Sequence, residues 1–149
     1  MNCNIKVRLL PGWIDASKDN PHGPPTFVRE SSKCSGALQV SQAEYVRGAV
    51  PNPSERDLIE MSRTFGMNFG DIVESQSGGC KFGKFGMTVY RSAETPHSQV
   101  WYLSDGKDFI MVTHLCGGEE PDPQELIEVN QIVRMLTLGP PNKPWWRFW

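Results

Sequence analysis

Long apolar runs are missing from this sequence: none approaches the roughly 18 residues that a membrane-spanning helix requires. Positive charge is not in excess either. The 15 Lys and Arg residues stand against 17 Asp and Glu, a formal net charge of -2, which argues against the broad basic footprint of a general nucleic-acid binder. Cysteine is sparse, with Cys3, Cys34, Cys80 and Cys116 widely scattered and no C-x-x-C pair. Such isolated thiols read as small core residues of a reducing compartment. There is no G-x-S-x-G and no internal repeat, so neither a nucleophile elbow nor a solenoid is indicated. The opening "MNCNIKVRLLPGW" has only Lys6 and Arg8 and a very short apolar run before Pro and Trp, which does not resemble a signal peptide. The expected location is therefore cytoplasmic, with no membrane and no nucleic acid among the partners.

What is present fits one α+β domain. At 149 residues with 38% hydrophobic content, the chain can bury a core without disulfides or metal. "NIKVRLL" alternates apolar and basic residues and reads as a half-buried first strand, while residues 15–25 are turn formers throughout. "TFVRE" and "GALQVSQAEY" read as further strands, the second with a bulge if Ala43 or Tyr45 joins its apolar face. "PNPSERDLIEMSRTFG" has a helix entry, with Ser54 as N-cap and Asp57 three residues later, an apolar stripe of Leu58, Met61 and Phe65, and Gly66 as the stop. "DIVESQS", "KFGMTVYRS", "SQVWYLS" and "DFIMVTHL" are strand-like, and "SDGK" joins the last two as a tight hairpin. Both faces of that hairpin are apolar, which places it in the middle of a sheet covered on both sides. A final helix begins at Asp122-Pro123, carries Leu126, Val129, Val133 and Leu136, and is expected to close at Gly139-Pro140.

Four features bear on chemistry. Gly78, Gly83 and Lys84 match the spacing of a phosphate-binding loop, but Phe85 stands where Ser or Thr should hold magnesium, and a strand follows where a helix should begin. A glycine-rich hairpin turn is the better reading. His114 and Cys116 lie two apart on a strand and so share a face. Further metal ligands would have to come from isolated residues such as His97 or Cys80, and packing is preferred, so no metal and no cofactor is expected. Between Glu94 and Glu128 the only Lys or Arg is Lys107, while Asp105, Asp108, Glu119, Glu120, Asp122, Glu125 and Glu128 are acidic. That stretch reads as a solvated loop and helix start, or as a patch steering a basic partner. Last, "KPWWRFW" places Trp145, Trp146, Phe148 and Trp149 behind prolines. Trp and Arg dominate interface hot spots, and Trp also anchors docked segments. The expected organisation is a domain over 1–139 with residues 140–149 as a docked arm.

From "GALQVSQAEY" through "QVWYLSDGKDFIMVTHLC" to "DPQELIEVNQIVRMLTL", the layout resembles small bacterial immunity proteins encoded beside polymorphic or type VI secreted toxins. It is also similar to the Mog1/PsbP-like α/β/α sandwich. The resemblance implies an antiparallel sheet of about six strands flanked by two main helices. It implies a non-enzyme with no catalytic residue, which neutralises a cognate toxin or effector domain by stoichiometric binding and occlusion of its active site. The candidate contacts are then Asp105, Asp108, Glu119, Glu120, Asp122 and Glu125, with the tryptophan-rich arm as a further contact or a lid. The alternative is a non-catalytic adaptor or ligand-binding protein of the same fold. The sequence does not fix the oligomeric state.

Overall fold

The strongest local signal, the central hairpin, organises the molecule. The computed structural model describes residues 5–19, 21–30, 36–43, 48–117 and 120–139. Expectations placed on Tyr45, Glu119 and the segment 140–149, with Trp145, Trp146, Phe148 and Trp149, lie outside the described residues. In chain order the strands and helices are β1 (Ile5–Lys6), β2 (Trp13–Asp15), β3 (Thr26–Arg29), β4 (Ala37–Ala43), α1 (Glu55–Phe65), β5 (Asp71–Cys80), β6 (Gly83–Arg91), β7 (His97–Ser104), β8 (Phe109–Cys116), α2 (Pro123–Arg134) and β9 (Thr137–Leu138). Seven strands form one antiparallel sheet in the order β2-β3-β4-β8-β7-β6-β5, and β1 pairs separately with β9.

Strand alternation decides which helix covers which face. Phe85, Met87 and Val89 of β6 share a side with Trp101 and Leu103 of β7, Ile110 and Val112 of β8, and Leu38 and Val40 of β4, and pack with Val129, Ile132 and Val133 of α2. The intervening residues face α1: Thr88 bonds Ser62 at 2.7 Å, and the Tyr90 hydroxyl donates to the Ser62 carbonyl at 2.6 Å. Gly86, two residues before Thr88 on the same face, lies directly beneath the backbone of Leu58 and Ile59. The central strands are thus apolar on both faces because a helix lies on each. The Ser54–Asp57 capping box starts α1 as its sequence predicts, and Gly66 ends it.

The sheet has one strand more than the expected six. Trp13–Asp15 adds an edge strand too short to show alternation in sequence. The first strand shrinks to Ile5–Lys6, while Val7 and Leu9 pack partly buried against the core without ladder bonds. Helix α2 ends at Arg134 rather than at Gly139-Pro140, because Thr137 and Leu138 leave it to pair with β1. The glycine-rich stretch is a hairpin: Cys80 pairs with Gly83 across the Lys81-Phe82 turn, and Gly83 takes φ +152, which favours glycine. Lys84 continues along β6 opposite Ser104, so a strand and not a helix follows this loop.

Candidate functional site

Asp122, Glu125 and Glu128 recur every third residue at the start of α2 and so share one helical face. The sheet turns that face inward. Asp122 caps the helix by accepting from the Gln124 amide at 2.9 Å, and its other oxygen takes Arg29 Nη1 at 2.9 Å. Arg29 also reaches Glu128 at 3.3 Å, and the Trp13 indole N–H donates to Glu128 Oε1 at 2.9 Å. Burial pushes the Glu128 carboxyl upward, but the hydrogen bonds from Trp13, Gln124 and Arg29, with the guanidinium charge, outweigh it and leave it below the usual range. The edge strand β2 and its neighbour β3 are thereby tied to α2 by polar contacts.

Glu125 was expected on an acidic surface; it is fully buried instead. Its Oε2 takes His114 Nε2 and the Gly36 backbone N–H, each at 2.8 Å. With Glu125 ionised, its Oε2 accepts from both groups, so the ring proton is assigned to Nε2 rather than observed there. Cys116 shares the face of His114, as the two-residue spacing predicts, and both side chains are buried. Donor atoms of His114, Cys116 and Glu125 all lie within 4.8 Å of one another. Cys116 Sγ is 3.9 Å from both ring nitrogens of His114, so it lines up with neither as a proton-transfer pair. His97 lies opposite Cys116 across the β7–β8 ladder, and its Nε2 is buried without a hydrogen-bond partner. Burial, then the neighbouring His114, holds the His97 pKa below its usual value. The spacing of His114 and Cys116 was legible in sequence. The part of Glu125 was not, because a glutamate in the first helical turn normally signals solvent.

The other acidic candidates do not converge. Asp105 is exposed at the β7–β8 tip, where its Oδ1 accepts from the backbone amides of Lys107 at 2.9 Å and Asp108 at 2.8 Å. Both residues are needed by the turn, which Gly106 at φ +100 completes. Glu120 is exposed and lies 3.7 Å from Arg91, a surface pair of small energetic weight.

Two surface features escaped the sequence reading. Strand β5 is an outer strand of the sheet, ten residues long and mostly exposed; no strand among the described residues pairs with its outer edge, which carries neither Lys nor Pro and has a register shift between Ile72 and Glu74. Beside it Phe65, Met67, Ile72 and Val73 are exposed, Met67 by 71% and Val73 by 55%. Phe65 packs edge-on against Phe69 at 5.9 Å, Phe69 against Tyr90 at 6.1 Å, and Tyr90 is the cross-strand partner of Ile72. This apolar patch arises where the end of α1 runs through a short helical turn into the start of β5, with Tyr90 of β6 beneath it. On the α2 side, a groove of about 360 Å³ is lined by Ile5, Val7, Leu9, Pro25, Phe27 and Val40, with Asp15 and Ser17 as its polar groups.

No family model matches the chain, and no curated protein matches it in sequence. Among solved structures, a crystal structure of a protein from Bacteroides thetaiotaomicron VPI-5482 gives a TM-score of 0.48 at 10% identity, covering 95% of this chain and 47% of that one. The solution structure of cyanobacterial PsbP (CyanoP) from Synechocystis sp. PCC 6803 gives a TM-score of 0.50 at 13% identity, covering 93% of this chain and 94% of that one. The chain has a PsbP-like α+β fold, with a large antiparallel sheet and two helices.

Proposed function

We propose that this protein is an immunity protein, which neutralises a cognate secreted bacterial toxin domain by stoichiometric binding. The observation that carries the reading is the ten-residue outer edge of β5, unpaired among the described residues, beside exposed Phe65, Met67 and Val73. An unpaired edge offers backbone donors and acceptors to an incoming strand, and flanking apolar side chains supply the area that makes such pairing stable. The polar cluster beneath α2 is buried, which favours a role without turnover. The acidic residues Asp105, Asp108 and Glu120 would then contribute steering at the rim rather than the centre of the contact, since rim charges act mainly on association rate.

The test begins with capture of partners from the native cell and co-expression of the captured protein. Rescue from toxicity at a one-to-one ratio is expected. The double substitution Met67→Lys and Val73→Lys should weaken binding at least tenfold without unfolding the chain, because both side chains are solvent-exposed. Unchanged affinity would remove β5 as the contact surface, and a captured partner with no toxicity would remove the immunity reading. A second reading, a non-catalytic adaptor or ligand-binding protein, draws on the 360 Å³ groove, whose apolar walls suit a small hydrophobic ligand.

A further inference from the structure

We propose that His114, Cys116 and Glu125 form a buried site for a thiophilic divalent cation, zinc above all, with His97 of the facing strand drawn in as the fourth ligand on binding. Three donor types arrive at one point from two elements. Strand alternation brings the imidazole and thiol to the inner face of β8, and the first turn of α2 brings the carboxylate onto them. Around tetrahedral zinc, with bonds of about 2.0–2.3 Å, donor atoms sit roughly 3.3–3.6 Å apart. Here His114 Nε2 and Glu125 Oε2 are 2.8 Å apart and Nε2 and Cys116 Sγ are 3.9 Å apart, which brackets that spacing. Shifts of about half an ångström would therefore open the one pair and close the other.

The neighbours fit this chemistry. His97 and Cys116 are directly opposed on the ladder, so both side chains stand on the same face, with Cβ atoms about 4.5–5.5 Å apart. The buried Nε2 of His97, without a hydrogen-bond partner, lies outside the three-residue group and completes the set only by swinging in across the ladder. Gly36 approaches so closely that a Cβ there would lie 2.6 Å from His114 Nε2 and 2.7 Å from Cys116 Sγ. The backbone thus closes over the cluster where any side chain would wedge it apart, as a sealed structural centre requires. An N2SO donor set with complete enclosure suits zinc better than magnesium or calcium, which prefer oxygen ligands. On binding, the Cys116 thiol releases its proton to solvent and becomes the thiolate ligand. His114 ligates through the Nε2 lone pair with its one ring proton on Nδ1, and no electron is transferred.

The experiment uses the full chain, reduced and chelator-treated, then refolded with cobalt(II) as a spectroscopic stand-in for zinc. One cobalt per chain is expected, with tetrahedral visible bands and a thiolate-to-cobalt charge-transfer band. Zinc should displace the cobalt and raise the melting temperature. Cys116→Ala should abolish the charge-transfer band and lower zinc affinity at least tenfold, whereas Cys80→Ala should leave both unchanged. His97→Asn should weaken zinc at least tenfold, and full affinity there would overturn its place as fourth ligand. X-ray absorption of the zinc-loaded wild type, expected to show one sulfur among nitrogen and oxygen neighbours, serves if a variant fails to fold. A folded wild type that shows no thiolate–cobalt band, or a band that survives Cys116→Ala, overturns the site.

Discussion

Replacing Gly86 by alanine should be far more damaging than one methyl group suggests. Gly86 lies at the centre of the face covered by α1, and a Cβ built there falls inside the van der Waals shells of the Ile59 amide nitrogen and the Leu58 carbonyl carbon, and 2.8 Å from the Leu58 Cβ. Two of those three obstacles are helix backbone, so no rotamer change relieves them, and α1 must withdraw from β6. Leu58 is fully buried, and the withdrawal also pulls on the Ser62–Thr88 and Tyr90–Ser62 hydrogen bonds. Overpacking of a tight core costs about 1–3 kcal/mol, and backbone obstruction places this case near ~3 kcal/mol. At roughly 2–4 °C per kcal/mol for a chain of this size, the melting temperature should fall by about 6–12 °C. Gly79→Ala is the matched control, because the only atom near its Cβ is the Gly83 carbonyl oxygen at 3.9 Å. Circular dichroism melts of both variants, with urea titration to show an unchanged m-value, make the measurement. A Gly86→Ala protein melting within 2 °C of Gly79→Ala, on the order of 0.5 kcal/mol, would refute the close seating of α1.

Two further outcomes follow from the polar ties beneath α2. Trp13→Phe keeps most of the ring but removes the indole N–H that donates to Glu128 at 2.9 Å, and should cost about 1.5–3 kcal/mol as a hydrogen bond to a charged group, read by urea denaturation. Equal stability would mean that the bond is replaced by water. Glu128 has a lowered folded pKa against its ordinary 4.5, so its stabilisation is present above pH 4.5 and is lost as pH falls through the folded value. Glu128→Gln should therefore be less stable than wild type at neutral pH, with the gap shrinking below pH 4.5. A gap that stays constant down to pH 2 would show that the charge of Glu128 contributes nothing.

The long, strongly patterned elements were legible before any coordinates. Ser54, Asp57 and Gly66 define α1 because capping satisfies its own terminal backbone groups within four residues. The doubly apolar β7–β8 hairpin announces a covered central sheet, and the failed phosphate-loop match is legible from Phe85 alone. The same local reading misplaced Glu125. Its position in the first helical turn satisfies the dipole rule equally well in water or in the core, and only the docking of α2 on β8 selects the core. Trp13–Asp15 was silent for a related reason: three residues cannot display a period, and the strand exists because β3 offers it a ladder.

What the sequence determined by itself is therefore the material that acts over one turn or one hairpin: caps, turns, strand alternation, and the shared face of His114 and Cys116. Tertiary structure decided everything that needs two distant segments to meet. It turned Asp122, Glu125 and Glu128 inward toward Arg29, Trp13 and His114, and it left β5 at the edge of the sheet. The physical reason is that local conformational energies depend on neighbours in the chain, whereas burial depends on which face packs against which. An amphipathic pattern names the faces but not their partner.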